Sequence, residues 1–219
     1  MSAAAFDLVV FDWDGTLMDS APAITRSIRN ACADLGLPVP SDERASYVIG
    51  LGLRDALEYA VPDLTREQLP AMLERYRHHY GLQDAAIGLF DGVREMLDGL
   101  AARRRLLGVA TGKSRAGLDR VLASTGLTDR FHATRCADET RPKPDPAMLL
   151  ELLERLDIAP ERALMIGDTT HDLRMAKSAG VASLAVSYGA HPRTALLDEG
   201  ALACVDSVAA LRDWLAART

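Results

Sequence analysis

The sequence predicts an α/β fold, a doubly wound parallel sheet carrying a helical insertion after its first strand. Three observations lead there. Short apolar, β-branched runs recur without sustained polar alternation, which marks strands covered on both faces. Helical patterns separate them, the alternation that builds βαβ units. One long stretch, residues 20–86, shows several helical patterns and no strand.

The first strand is read over residues 6–11, "FDLVVF". Within the insertion, "PAITRSIRNACADLG" and "REQLPAMLERYRHHYG" carry helical spacing, while "GLPVPSDE", "VIGLGL" and "YAVPDL" break it. A helix over 93–103 then leads to a strand over 106–110, "LLGVA". The next helix spans 114–124, with the Ser114 hydroxyl placed to cap it. A helix over 146–156 follows, with Asp145 as its N-cap and Pro146 in its first turn. The remaining elements are a strand at 164–166, a helix at 172–179, a strand at 181–186 and a helix at 208–217.

Composition narrows the function classes. The chain has 219 residues, 48% hydrophobic and 26% charged, which suits one globular domain with an insertion or two small domains. A formal charge of -6 argues against nucleic acid held on a basic surface, and the short run Arg103, Arg104, Arg105 reads as a solvated helix end. Cys32, Cys136 and Cys204 are odd in number and in no metal-binding spacing, so they are read as reduced thiols. "MSAAAFDL" lacks a basic segment before an apolar one, and no apolar run approaches the ~20 residues of a membrane span. The expected location is cytoplasmic, with no membrane partner.

Four short stretches carry chemistry. In "FDWDGT", Asp12 and Asp14 fall at the carboxyl end of the first strand, where open α/β sheets bind ligands, and Gly15 permits a sharp exit. Two carboxylates at i and i+2 share a face and repel unless a proton or a hard cation such as Mg²⁺ intervenes. In "GVATGKS", Thr111 ends another strand as a hydroxyl donor, and Gly112 lets backbone amides approach a ligand. In "RPKPDP", Pro142 and Pro144 stiffen the chain around Lys143, whose ammonium suits a phosphate oxygen or a carboxylate. In "MIGDTTHDL", Asp168 follows a third strand, and Asp172 stands where a helix begins, also a position that suits the helix dipole. Outside these, Arg54 in "IGLGLRDAL" is placed to meet an anionic substrate group, and His191 in "YGAHP" to line the entrance. His78 and His79 diverge on a helix and make a poor metal site.

In order and spacing, "DWDGT", Thr111 in "VATGK", Lys143 in "RPKPDP" and "GDTTHD" resemble the four motifs of the haloacid dehalogenase-like hydrolases. Together they cover nearly the whole chain, and within that group the sequence is similar to phosphoglycolate phosphatase-like enzymes. The resemblance implies a Rossmann-like core, residues 1–17 and 87–219, with an α-helical cap of the first type over 18–86. It also implies roles: Asp12 attacks phosphorus, Asp14 serves as acid and then base, and Thr111, Gly112 and Lys143 hold the phosphoryl group. Mg²⁺ is implied at Asp12, the Asp14 backbone carbonyl and Asp168, with Asp172 beside it. Because dehalogenases of the family lack the second aspartate, Asp14 favours phosphoryl transfer. The expected substrate is a small phosphate ester, and the expected assembly a monomer or homodimer. A phosphomutase, a pyrophosphate hydrolase, a phosphoacceptor module and a non-catalytic scaffold are the competing readings.

Overall fold

A computed structural model describes residues 6–83 and 86–219. Residues 1–5, the start of the "MSAAAFDL" stretch, and residues 84–85 of the insertion lie outside the described residues.

The apolar runs form parallel strands. β1 (Leu8–Phe11) is central, flanked by β2 (Leu106–Thr111) and β4 (Ala163–Gly167), with β3 (Ala133–Cys136) beyond β2. β5 (Ala182–Val186) and β6 (Cys204–Val205) complete the order β3-β2-β1-β4-β5-β6. All pairings are parallel. The unbroken hydrophobicity of β1 follows from burial on both faces. Val9 and Phe11 pack with Leu107, Val109 and Ile166 under α5 (Val93–Ala102), α6 (Arg115–Thr125) and α10 (Val208–Ala216). Leu8 and Val10 face the opposite way, onto Met148 and Leu152 of α7 (Ala147–Leu156) and Met175 of α8 (Thr170–Ser178).

Outside the insertion, two strands and one α-helix escape the sequence reading, for physical reasons. β3 is an edge strand reading "ATRC", whose two middle residues are only half-buried, and β6 has two residues. The helix α9 (Arg193–Asp198) has six residues, too few to show a periodicity. The Ser114 hydroxyl does cap α6, accepting the Gly117 N–H at 3.2 Å. At α7 the reading is off by one: Pro146 occupies the cap position, and Asp145 reaches past it to accept the Ala147 N–H at 2.9 Å. An Asp side chain makes this contact two residues ahead by forming an Asx turn.

Between β1 and α5 the chain forms α1 (Ala21–Asp34), α2 (Asp42–Tyr47), α3 (Leu53–Ala60) and α4 (Leu69–Gly81). These helices have their own apolar cluster, including Ile24, Ile28, Val48, Leu57 and Met72. No helix among the described residues is long and apolar enough to cross a membrane.

Candidate active site

β1, β2 and β4 are neighbours with a common direction, so their carboxyl ends bring Asp12, Thr111 and Asp168 together. This is the crevice where the chain switches sides of the sheet, between β1 and β4. Gly15 turns the chain out of β1 with φ +79°, and a Cβ there would lie 2.2 Å from an Asp168 carboxylate oxygen. Glycine is thus needed twice, for the left-handed backbone and for the close approach.

Lys143 comes in from the loop before α7 and is fully enclosed. Its Nζ donates to Asp12 Oδ1 at 2.7 Å and lies 2.6 Å from Asp172 Oδ1, the latter a close ion pair rather than an aligned hydrogen bond. Asp172 Oδ2 accepts from the Thr169 N–H at 3.1 Å and the Thr169 hydroxyl at 2.7 Å, closing a capping box at the start of α8. The helix-cap role and a place in the cluster therefore belong to the same side chain. Asp168 accepts from the Thr16 hydroxyl at 2.8 Å and the Ala190 N–H at 2.7 Å.

Carboxylate oxygens of Asp12, Asp168 and Asp172 lie within 4.8 Å of one another, all buried. Burial pushes the Asp12 carboxyl well above the usual range, Asp172 and Asp168 add to this, and Lys143 opposes it. Burial and Asp172 push Asp168 up to about 7. For Lys143, burial favours the neutral form, but Asp12 and Asp172 outweigh it and hold the group above an ordinary lysine. One lysine does not satisfy three clustered carboxylates, and Asp12 Oδ2 is buried with no hydrogen-bond partner. That oxygen and its crowded neighbours fit a hard divalent cation.

Asp14 faces a different neighbourhood. Its Oδ1 accepts from the Ser20 hydroxyl at 2.5 Å and lies 2.9 Å from Lys113 Nζ. Lys113 also donates to the Tyr80 hydroxyl of α4 at 3.2 Å, with its ammonium 5.2 Å from the centre of that ring. Trp13, between the two aspartates, turns away into the core, its indole N–H directed at Met18 Sδ. Thr111 is buried, and its hydroxyl oxygen accepts the Lys113 N–H at 3.2 Å, which leaves its own O–H free to donate.

A cavity of about 830 Å³ lies between the helical unit and the sheet, with Asp14 and Lys113 on one side and Ile24, Ile28 and Tyr76 on the other. Arg54 reaches its edge; its side chain is 66% exposed and sits 3.8 Å from Glu58. Gly112 lies directly under the helical unit, where a Cβ would be 2.4 Å from the Leu51 carbonyl oxygen. What comes close to Gly112 is thus the chain of residues 50–51.

His191 does not line this cavity. It is buried, accepting the Thr170 N–H on Nδ1 at 3.1 Å and donating from Nε2 to the Tyr47 carbonyl at 2.9 Å. His171, inside the "GDTTHD" stretch, is also buried and donates to the same carbonyl at 2.8 Å. Burial lowers both imidazole pKa values and keeps the rings neutral. The Tyr47 ring lies flat on His191, centroids 5.0 Å apart, and the Ser46 hydroxyl donates to the Ala190 carbonyl at 2.9 Å, so the end of α2 is fastened to the sheet domain at several points. Sequence reasoning missed Lys113, Ser20 and this fastening. Only Thr169 left a local signal, the Thr-x-x-Asp spacing of a capping box.

Comparison with known proteins agrees with this geometry. The haloacid dehalogenase-like hydrolase family matches residues 9–186. A phosphoglycolate phosphatase of Rhodospirillum rubrum is 36% identical, covering 94% of this chain and 90% of its own length. An N-acetylmuramic acid 6-phosphate phosphatase of Pseudomonas aeruginosa is 34% identical, covering 94% and 93%. The crystal structure of a predicted phosphoglycolate phosphatase from Haemophilus somnus superposes with a TM-score of 0.85 at 27% identity, over 95% of this chain and 97% of that one. With four motifs converging at one end of a matching sheet, the chain belongs to the haloacid dehalogenase-like hydrolases and is a phosphatase of that family.

Proposed function

We infer that the chain hydrolyses a small phosphomonoester through an aspartyl-phosphate on Asp12. The observation that supports this most is the environment of Asp12: one oxygen held by Lys143, the other buried and unpartnered at the open end of the sheet. In the first step an Asp12 oxygen forms a bond to phosphorus, the bond from phosphorus to the ester oxygen breaks, and Asp14 gives its proton to the departing alkoxide. In the second, Asp14 takes a proton from water, the water oxygen bonds to phosphorus, and the Asp12–phosphorus bond breaks to release inorganic phosphate. Lys143 and the Thr111 hydroxyl hold the phosphoryl oxygens, and Lys143 offsets repulsion between the nucleophile and the dianion.

Asp12, Asp168 and the Asp14 backbone carbonyl would hold Mg²⁺, with Asp172 orienting Lys143 beside them. The cation supplies charge neutralisation for the phosphoryl oxygens and for the carboxylates themselves. Residues 18–86 act as the cap, excluding bulk water from the reacting centre. Phosphoglycolate is the substrate to try first, since a relative of that name covers nearly the whole chain. Three buried free thiols fit a reducing, cytoplasmic compartment.

The test is phosphate release from a panel of small phosphomonoesters and pyrophosphate, with Mg²⁺ or with chelator. Magnesium-dependent release from one ester well above the rest is expected. Recovery of an isomeric sugar phosphate without inorganic phosphate would replace this reading by a mutase.

A further inference from the structure

The helical unit is joined to the sheet domain by two stretches of chain that pair with each other, the Asp19 N–H donating to the Gly88 carbonyl at 3.0 Å. A unit held at such a crossing can turn about it unless another point fixes it. The end of α2 supplies such a point. The Tyr47 carbonyl accepts from His171 Nε2 at 2.8 Å and from His191 Nε2 at 2.9 Å, a carbonyl oxygen having room for two donors. His191 Nδ1 accepts the Thr170 N–H at 3.1 Å, so the neutral ring carries its proton on Nε2, where the carbonyl needs it. Both rings are buried, and neither takes part in the chemistry set out above. Directly after Tyr47 comes the turn of residues 48–52, which lines the cavity. A Cβ on Gly50 would lie 3.2 Å from the Thr169 hydroxyl that holds Asp172, and Gly112, next to Thr111, lies against the carbonyls of residues 50–51. Any shift of this turn therefore uncovers the site on two sides.

We propose that His171 and His191 are positioning residues, a paired latch on the Tyr47 carbonyl that holds the turn of residues 48–52 against the turns after β2 and β4 while substrate is bound. This rests on the phosphatase reading of the same site. The latch reaches the sheet domain on two separate segments, His171 on α8 and His191 beyond β5, with the bond from Ser46 to Ala190 beside it. Loss of one donor leaves the other in place, so the turn loosens rather than detaches. An ester that binds only the seated form has its apparent affinity reduced by the fraction seated. A weakened latch thus raises KM, while the reacting groups keep their places and kcat changes less.

The experiment compares His171→Leu, which keeps apolar bulk and removes the donor, with His171→Gln, whose side-chain amide offers an N–H close to the position of Nε2. Hydrogen exchange in the whole protein is expected to quicken about three- to tenfold at residues 48–52 in His171→Leu, the size of one net hydrogen bond, with β1 and α4 unchanged. KM for the best ester of the panel rises by a similar factor and kcat falls less. His171→Gln recovers part of both effects. Mg²⁺ alone, titrated by calorimetry, binds as it does to the unaltered protein. Ser46→Ala works from the helical side and shows the same pattern, which provides a second reading if the leucine variant does not fold. Unchanged exchange at 48–52, an unchanged KM, or exchange that quickens throughout the chain overturns the proposal while the phosphatase reading stands. So does a rise in the Mg²⁺ Kd that matches the rise in KM, since the histidine would then act through the carboxylates. Hydrolysis of no ester by the unaltered protein removes the phosphatase reading and the proposal with it.

Discussion

Each of the two aspartates after β1 has its own lysine, and the division of labour proposed for them rests on that. Asp12 is enclosed with Lys143, which arrives from a loop 131 residues away, and has one oxygen left over. Asp14 sits at the cavity wall with Ser20 and Lys113. A nucleophile needs a fixed oxygen facing phosphorus, and an acid–base group needs access to the leaving oxygen and then to water. Asp12→Asn is accordingly expected to lower phosphate release by at least about a thousandfold, with the fold retained by circular dichroism. Asp14→Asn is expected to lower kcat by about 10²–10⁴-fold, with a smaller loss for esters whose leaving alcohols are more acidic and need less protonation. Equal losses across a series of leaving groups would take the acid role away from Asp14.

At the scale of elements, the close approach of Gly112 to the chain at residues 50–51 ties the helical unit to the turn after β2. In Gly112→Ala the new methyl group would meet the Leu51 and Gly50 carbonyl oxygens at 2.4 and 2.6 Å, and backbone cannot yield as a side-chain tip does. The expected result is a destabilisation of about 1–3 kcal/mol and a rise in KM, read from thermal unfolding and steady-state kinetics on one preparation. An unshifted unfolding midpoint would mean that the loop moves aside freely. Sequence legibility divides at this same scale. β1, β2, β4 and β5 are visible because burial on both faces makes them uniformly apolar, and the motif residues because their type and place at a strand end are local facts. Edge strand β3 and two-residue β6 show no such pattern. Lys113, in "TGKS", has the local appearance of a solvated turn lysine, and only the fold sets Tyr80 and Asp14 against it. His191 misleads for the same reason, since its partner Tyr47 is 144 residues distant.

Across the whole molecule, the carboxylates and the buried histidines make stability depend on pH in opposite senses. Asp168, at about 7 in the metal-free fold against an ordinary 3.8, binds its proton more tightly folded than unfolded. Its contribution to stability is complete below about pH 4, declines as the unfolded chain ionises and the folded one does not, and is gone above about pH 7. Asp12 is shifted in the same direction. His171 and His191 lie below their ordinary 6.5, so they contribute above that pH and lose the contribution as pH falls through their folded values. A cation bound by the carboxylates competes with their protons, and its gain in stability therefore grows as pH rises. With chelator, the unfolding midpoint is expected to be depressed near pH 7.5 by the crowded carboxylates. Saturating Mg²⁺ then raises the midpoint, the added stability being about 2.7 kcal/mol at a hundredfold excess over Kd. Near pH 5 the same addition yields a smaller increase, because protons already occupy the carboxylates. Thermal unfolding at the two pH values, with and without Mg²⁺, measures the difference. Equal increments at both would show that the cation binds away from Asp12 and Asp168.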